Sequence, residues 1–489
     1  MFLQPIKQWF IALPGTLHYN STHYLVSWVF LRGLALIYFS AFASMAVQIQ
    51  GLIGENGILP IQLKLTEIAQ IFPDSKFSVF PTVFWLDASD QALMIVCFAG
   101  MAAAVVLLLG VFERITLILC YILYLSISVA GQDFTAFQWD IFLLEAGFLG
   151  IFLTWGSEII VFLYRFLIAR FMFMGGVVKL ASGDPSWSNL TALSYHYQTQ
   201  PLPSPLAYYA YYLPQWFNKF CVAGVFIIEI IVPFFVFLPR RFRLFAAWSF
   251  IILQSSIILT GNYNFFNLLT ILLCLFLFDD EDFEKRLPAQ LISAIRQKRP
   301  KPGVIANTAA ALWMCLIFLT CATHTWIYHA KQKPVAPLNS LVQMTSAFSL
   351  INNYGPFSIM TTERPEIIVQ GSIDGRNWQT YQFKYKPVNL DQKLSWNIPH
   401  QPRLDWQMWF AALETPAIDS WFAKFMLKLQ EGSPPVLSLL AYNPFPEKPP
   451  IYVRALLYRY FYTSRAQRAA TGQIWQREYL GVYWPQSDS

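Results

Sequence analysis

Between residues 24 and 328 the chain is built from long apolar stretches. A stretch of about 20 such residues can hide its backbone polar groups from hydrocarbon only by coiling into a helix. Nine stretches qualify, at approximately 24–49, 91–110, 115–131, 139–155, 159–180, 220–238, 242–260, 265–278 and 304–328. The eighth is the shortest. The fourth and fifth are separated by a few residues around Gly156 and Glu158, which predicts a tight helical hairpin. Charged residues make up 13% of the 489 residues, against about 25% in ordinary soluble domains. The deficit falls in the apolar region, and the composition turns ordinary after Lys331. The sequence thus predicts a polytopic helical membrane domain over 1–330, followed by a soluble domain over 331–489.

Lysine and arginine favour the cytoplasmic side of a membrane. Two loops are plainly basic: Pro239-Arg240-Arg241-Phe242-Arg243, and the segment holding Lys285, Arg286, Arg296, Lys298, Arg299 and Lys301. Two spans separate them, so both fit the same side. Counting outward places the N-terminus inside and everything after Lys331 outside. The loops 51–90, with an interfacial helix at 59–72, and 181–218 would also be exterior. The net charge of +6 is then a topological feature, and nucleic acid is not expected as a partner. All six cysteines fall in apolar stretches and none forms a CxxC pair. The exported part has no cysteine, so it is neither a disulfide scaffold nor a disulfide exchanger by itself. Residues 1–15 carry no convincing cleavable leader, so the first span is expected to target the chain and remain in it.

The soluble part mixes two periodicities. Residues 366–385 read mostly as strand around the turn Asp374-Gly375, with strands again at 452–462 and 474–483. Helices are predicted at 404–413, 420–430 and 436–442. In the second, Trp421, Phe422, Phe425, Met426 and Leu429 share one face. This is an α+β domain with a small sheet.

Charged residues inside apolar stretches are functional candidates by default. Here they are Asp140, Glu145, Arg165, Arg170 and Glu229, with Asp184 close behind the fifth stretch. Pairing inside the bundle is the bland reading, and a substrate or proton path the sharper one. Lys179 closes the fifth stretch beside Gly175 and Gly176. It reads either as a cation snorkelling to the interface or as a buried base, with Asp184 as its expected ion-pair partner. In the soluble part Arg364, Glu366, Arg403, Asp405, Trp406, Trp409, Asn443 and Arg454 stand out, as client-binding or structural residues. Asp405 near a helix start would complement the helix dipole and anchor that helix together with Arg403. The six histidines are scattered, so no metal site is expected. Gly-rich phosphate loops and Ser-His-Asp or Cys-His constellations are missing, so no cofactor is expected.

Several long blocks carry a resemblance. They are NLTALSYHYQTQPLPSP (189–205), TGNYNFFNLLT (260–270), NNYGPFSIMTTERPEIIVQGSIDGRNWQTYQFKYKP (352–387), QPRLDWQMWFAAL (401–413), NPF (443–445) and YVRALLYRYFYT (452–463). In this order they resemble the lipase maturation factor family, from about Leu31 onward. The resemblance implies a membrane-bound factor that helps exported lipases fold and assemble, chaperone-like, with its conserved domain on the non-cytoplasmic side. The chain is similar to the compact bacterial members, which implies a bacterial inner membrane in preference to the endoplasmic reticulum. The implied partners are an exported client, lipase-like by the family, and membrane lipid. A shorter block, GGVVKLASGDPSW (175–187), resembles the vitamin K-dependent carboxylase membrane domain, where the residue matching Lys179 serves as base. The readings in contention are therefore a maturation factor, a membrane-embedded enzyme using Lys179, and a structural or lipid-binding membrane protein.

Overall fold

The computed structural model describes residues 23–297, 303–330, 335–415, 417 and 419–485, with backbone alone for 324–330. The leader region 1–15, His18, the basic residues Lys298, Arg299 and Lys301, the boundary at Lys331 and the side chains of His324 and His329 lie outside the described residues.

Each of the nine apolar stretches is helical: α1 Tyr24–Ala46, α2 Asp90–Leu109, α3 Glu113–Ala130, α4 Gln138–Leu153, α5 Glu158–Ala181, α6 Gln215–Phe237, α7 Arg240–Thr260, α8 Phe266–Leu277 and α9 Val304–Ala330. Seven are long and apolar enough to cross a membrane, and α4 and α8 are shorter. At 1.5 Å per residue, the 16 residues of α4 reach about 24 Å, short of the roughly 30 Å hydrocarbon core. It needs no such length, because Trp139, Asp140, Phe142, Leu143, Leu144 and Glu145 are all buried and other helices surround it. Small residues permit this packing. At Gly147 of α4 a Cβ would collide with the hydroxyl of Tyr38 of α1.

Helix ends sort onto two ends of the bundle. At one, Arg243 bonds Asp279 at 2.7 Å and Arg240 bonds it at 2.9 Å. These contacts bring the start of α7 against the end of α8. Asp280 accepts the backbone N–H groups of Leu25 and Val26 at 2.9 and 3.0 Å, satisfying donors that the first turn of α1 leaves free. The described parts of both basic loops therefore meet at this end. The C-terminal domain sits at the other.

That domain holds a four-stranded antiparallel sheet in the order β2-β1-β3-β4, with β1 Arg364–Ser372, β2 Gln379–Thr380, β3 Tyr452–Tyr462 and β4 Trp475–Trp484. Helices α10 Arg403–Leu413 and α11 Trp421–Glu431 pack against it. Two expectations need correction. Strand pairing does not run on to residue 385. After the expected turn, where the Asp374 carboxylate gathers the N–H groups of Arg376 and Asn377, both at 2.8 Å, the returning strand is only Gln379–Thr380. Residues 436–442 are not a helix either. One turn forms at Pro434–Leu437, where prolines suit a first turn, and the chain then leaves to make a β-bridge between Gln382 and Tyr442. A helix is present at Ile61–Ile71, within the expected 59–72, and buries Ile61, Leu65 and Ile68.

Candidate functional site

Lys179 lies in the last turn of α5 and is buried, 5% exposed. It does not snorkel. Its Nζ donates to Glu229 at 2.7 and 3.0 Å and to the Gly175 carbonyl at 3.1 Å. Glu229 sits on a π-helical turn, Ile227–Ile231, within α6. Such a turn inserts a residue and re-aims its neighbours. Gly176 makes the approach possible, since a Cβ there would stand 2.6 Å from Ile230. Asp184, the expected partner, is not the partner. It lies beyond the end of α5, and backbone donors take its oxygens: Ser186 N–H at 2.8 Å and Met360 N–H at 2.6 Å. His196 is nearby, its Nε2 3.4 Å from the Tyr263 hydroxyl. Burial, and then the Lys179 charge, push it down to about 4.

The other buried charges reach into the C-terminal domain. Glu145 of α4 pairs with Arg170 of α5. Its second oxygen accepts the Tyr354 hydroxyl at 2.6 Å and the Asn352 backbone N–H at 3.1 Å. Asp140, fully buried, takes Arg403 in two bonds of 2.6 and 2.7 Å and the Tyr124 hydroxyl at 2.5 Å. The proposed joint anchoring by Arg403 and Asp405 is thus corrected. Residues two apart on a helix do not face each other. Asp405 instead accepts the N–H groups of Tyr385 and Lys386 at 2.8 and 2.9 Å. Arg165 belongs to the opposite end, where it bonds the Phe276 carbonyl at 2.8 Å and His23 at 2.9 Å.

A third cluster centres on Arg364, which has no exposed surface. It donates to the carbonyls of Gln198, Gln200 and Pro201 in the loop before α6. Glu366 sits between Arg364 at 2.7 Å and Lys386 at 3.0 Å. Trp406 is wedged against Trp139 and Tyr263, with ring centres 4.9 and 5.7 Å away, and Trp409 donates to the Thr199 carbonyl at 2.7 Å. Of the eight candidates in this domain, Arg364, Arg403, Trp406 and Trp409 therefore touch the bundle. Glu366 and Asp405 brace the segments behind them. Asn443 and Arg454 stand apart. Asn443 bonds the Phe445 N–H at 2.9 Å, and Arg454 lies 4.0 Å over the Trp378 ring.

Sequence reasoning missed Lys386, Tyr354, His400 and the pair Ser44 and Gln48. The last two are polar residues at the end of an apolar stretch, which is the one cue that could have found them. Ser44 meets His400 Nδ1 at 2.9 Å, and Gln48 bonds the Gln401 carbonyl at 2.7 Å and the Arg403 N–H at 2.9 Å. Among the described residues no cluster of His, Cys, Asp or Glu could hold a metal ion.

His400 supplies a pH prediction. Burial, then the charges of Arg403 and Lys384, lower its pKa to about 4. The folded value lies below the unfolded one near 6.5, so the folded state takes up the proton less readily. Stability is complete above pH 6.5 and is lost as pH falls toward 4. The full loss from this group is about 3 kcal/mol. Melting midpoints of the detergent-solubilised protein should fall between pH 7 and 5, and less so when His400→Gln and His196→Gln are combined. A midpoint that is flat across this range in the native chain would contradict the assignment.

The comparisons follow this geometry. The lipase maturation factor transmembrane domain matches residues 25–285, and the lipase maturation factor C-terminal domain matches 350–485. The chain is 35% identical to lipase maturation factor 1 of Homo sapiens over 514 residues, covering 96% of this chain and 89% of that one. It is 34% identical to lipase maturation factor 2 of Gallus gallus over 575 residues, covering 94% and 80%. The lipase maturation factor 2 of Xenopus tropicalis is also 34% identical, with 93% and 81% covered. No solved structure matches the chain.

Proposed function

We propose that this chain, which belongs to the lipase maturation factor family, helps an exported lipase-like client to fold or assemble. The supporting observation is the way the family's C-terminal domain is held. Buried charges at Asp140, Glu145 and Arg364 join it to the end of the bundle remote from Arg240 and Arg243. If those basic residues lie in the cytoplasm, as charge bias favours, the domain faces exported proteins. We place the chain in a bacterial inner membrane and divide it at 330/331. In this reading Arg364, Glu366, Arg403, Asp405, Trp406 and Trp409 hold the platform. Asn443 and Arg454, away from the bundle, are the candidates for meeting a client.

The carboxylase-like alternative gains no support from the geometry. Its base, Lys179, is already engaged by Glu229 and by a backbone carbonyl. The test is a deletion strain assayed for secreted lipases. Specific activity should fall severalfold while secreted protein persists. The full chain should restore it, and a chain ending at residue 330 should not. Unchanged specific activity of every secreted lipase would reject the proposal.

A further inference from the structure

Residues 335–362 contain no charged side chain. Ordinary soluble domains carry about one in four, so the charge-poor composition of the bundle runs on past its last span. A helix forms at Ala336–Ala347, where Pro337 suits the first turn, and it packs against α9. Its 12 residues extend about 18 Å. An irregular segment follows.

Four helices of the bundle measure how deep this segment lies. Tyr121 of α3 donates to the Phe348 carbonyl at 2.5 Å. It stands nine residues before α3 ends at Ala130, about 14 Å below the domain-facing end. Glu145, which accepts from Asn352 and Tyr354, is seven residues into α4, or about 10 Å. Arg170 lies 5.8 Å from the Tyr354 ring centre. It precedes the end of α5 by eleven residues, about 16 Å. Arg170 also bonds Cys321 at 3.2 Å, nine residues before α9 ends at Ala330. The depths agree, and one leaflet contributes about 15 Å of hydrocarbon. The chain leaves the last span at 330/331 and comes back down beside it.

Non-helical backbone survives at such depth only where protein satisfies it. Here it does. Besides the Phe348 carbonyl and the Asn352 N–H, the Leu350 N–H bonds the Thr345 carbonyl at 2.8 Å and the Gly355 N–H bonds Gln138 Oε1 at 3.0 Å. Ile351 and Tyr354 are each 1% exposed. The helix leading in is covered on its inner side alone. Met344 is 50% exposed. To either side, α9 exposes Phe318 and Leu319, and α3 exposes Leu119 and Ile122. The helix thus continues an apolar surface shared by two spans. Its exposed polar residues, Ser340, Gln343 and Ser346, are uncharged, and charge is what hydrocarbon penalises most. We propose that residues 335–357 re-enter the leaflet on the domain side, and that the outward face of the helix Ala336–Ala347 meets its acyl chains. This holds whichever compartment the domain faces and whether or not the client reading stands.

The native full chain in nanodiscs of phosphatidylethanolamine and phosphatidylglycerol provides the test. Met344 and Tyr452 of the C-terminal domain are about equally exposed, at 50% and 51%. Methionine is the more reactive of the two toward hydroxyl radicals. Under X-ray radiolysis Met344 should nevertheless be oxidised at least threefold more slowly than Tyr452, because lipid excludes the radicals made in water. A smaller difference overturns the proposal. An aryl diazirine dissolved in the bilayer should label 336–347 within about twofold of the Ile118–Ile122 stretch of α3. Weaker labelling, with Met344 still protected from oxidation, would mean that protein covers the helix, as in a second copy of the chain, and would overturn lipid as its partner.

Discussion

Replacing Arg403 with leucine is expected to be among the most damaging single changes in the chain. The substitution would leave Asp140, which has no exposed surface, with the Tyr124 hydroxyl as its remaining side-chain donor among the described residues. Breaking a buried ion pair from one side costs about 3–5 kcal/mol, because the remaining charge keeps its desolvation penalty. Removing both charges is a different matter, since well-packed apolar replacements of a buried pair are often neutral. Melting of the solubilised protein should therefore drop sharply for Arg403→Leu and recover in the double variant Arg403→Leu with Asp140→Leu. Equal losses in the single and double variants would show that the side chains matter for shape and not for charge.

Glu366→Ala should rival it. The Glu366 carboxylate lies between Arg364 and Lys386, so its removal leaves two buried cations without the anion between them. Arg364→Met, by contrast, leaves a neutral Lys386–Glu366 pair and frees three backbone carbonyls of the 198–201 segment. Each carbonyl is neutral and can be met by water at about 1–3 kcal/mol or less, whereas each of the two uncompensated buried cations costs about 3–5. The expected order of melting midpoints is native, then Arg364→Met, then Glu366→Ala. The reverse order would mean that the link to the bundle outweighs the charge balance within the domain.

The sequence revealed the helices because their cause is local. An apolar stretch forms a helix whatever surrounds it, and the ends of α10 and α11 fall within a residue or two of expectation. Partners are set by distant register and were not legible. Lys179 has a carboxylate five residues away and another fifty residues away, and it pairs with the distant one. The near one lies past the end of α5 and is occupied by backbone N–H groups. Arg403 likewise passes over Asp405 for Asp140, 263 residues earlier. Strand length was overestimated toward residue 385 because aromatic residues suited to a strand can equally fill a core without a ladder, as the buried Phe383 does. The short α4 could not be recognised as an inner helix, since composition does not say which helices surround which.

The separation between Asp140 and Arg403 has a consequence for biosynthesis. At about 5–20 residues per second, a ribosome needs about 13–50 s to travel the 263 residues between them. Glu145 meets its arginine 25 residues on, within the same hairpin. Asp140 has no such early cation, and an ionisable group left unpaired among membrane helices is costly. The nascent bundle therefore remains unfinished at its domain-facing end until the last third of the chain has emerged and docked. A product cut short before residue 403 carries that vacancy permanently, an internal mark of incompleteness available to the proteases that survey membrane proteins.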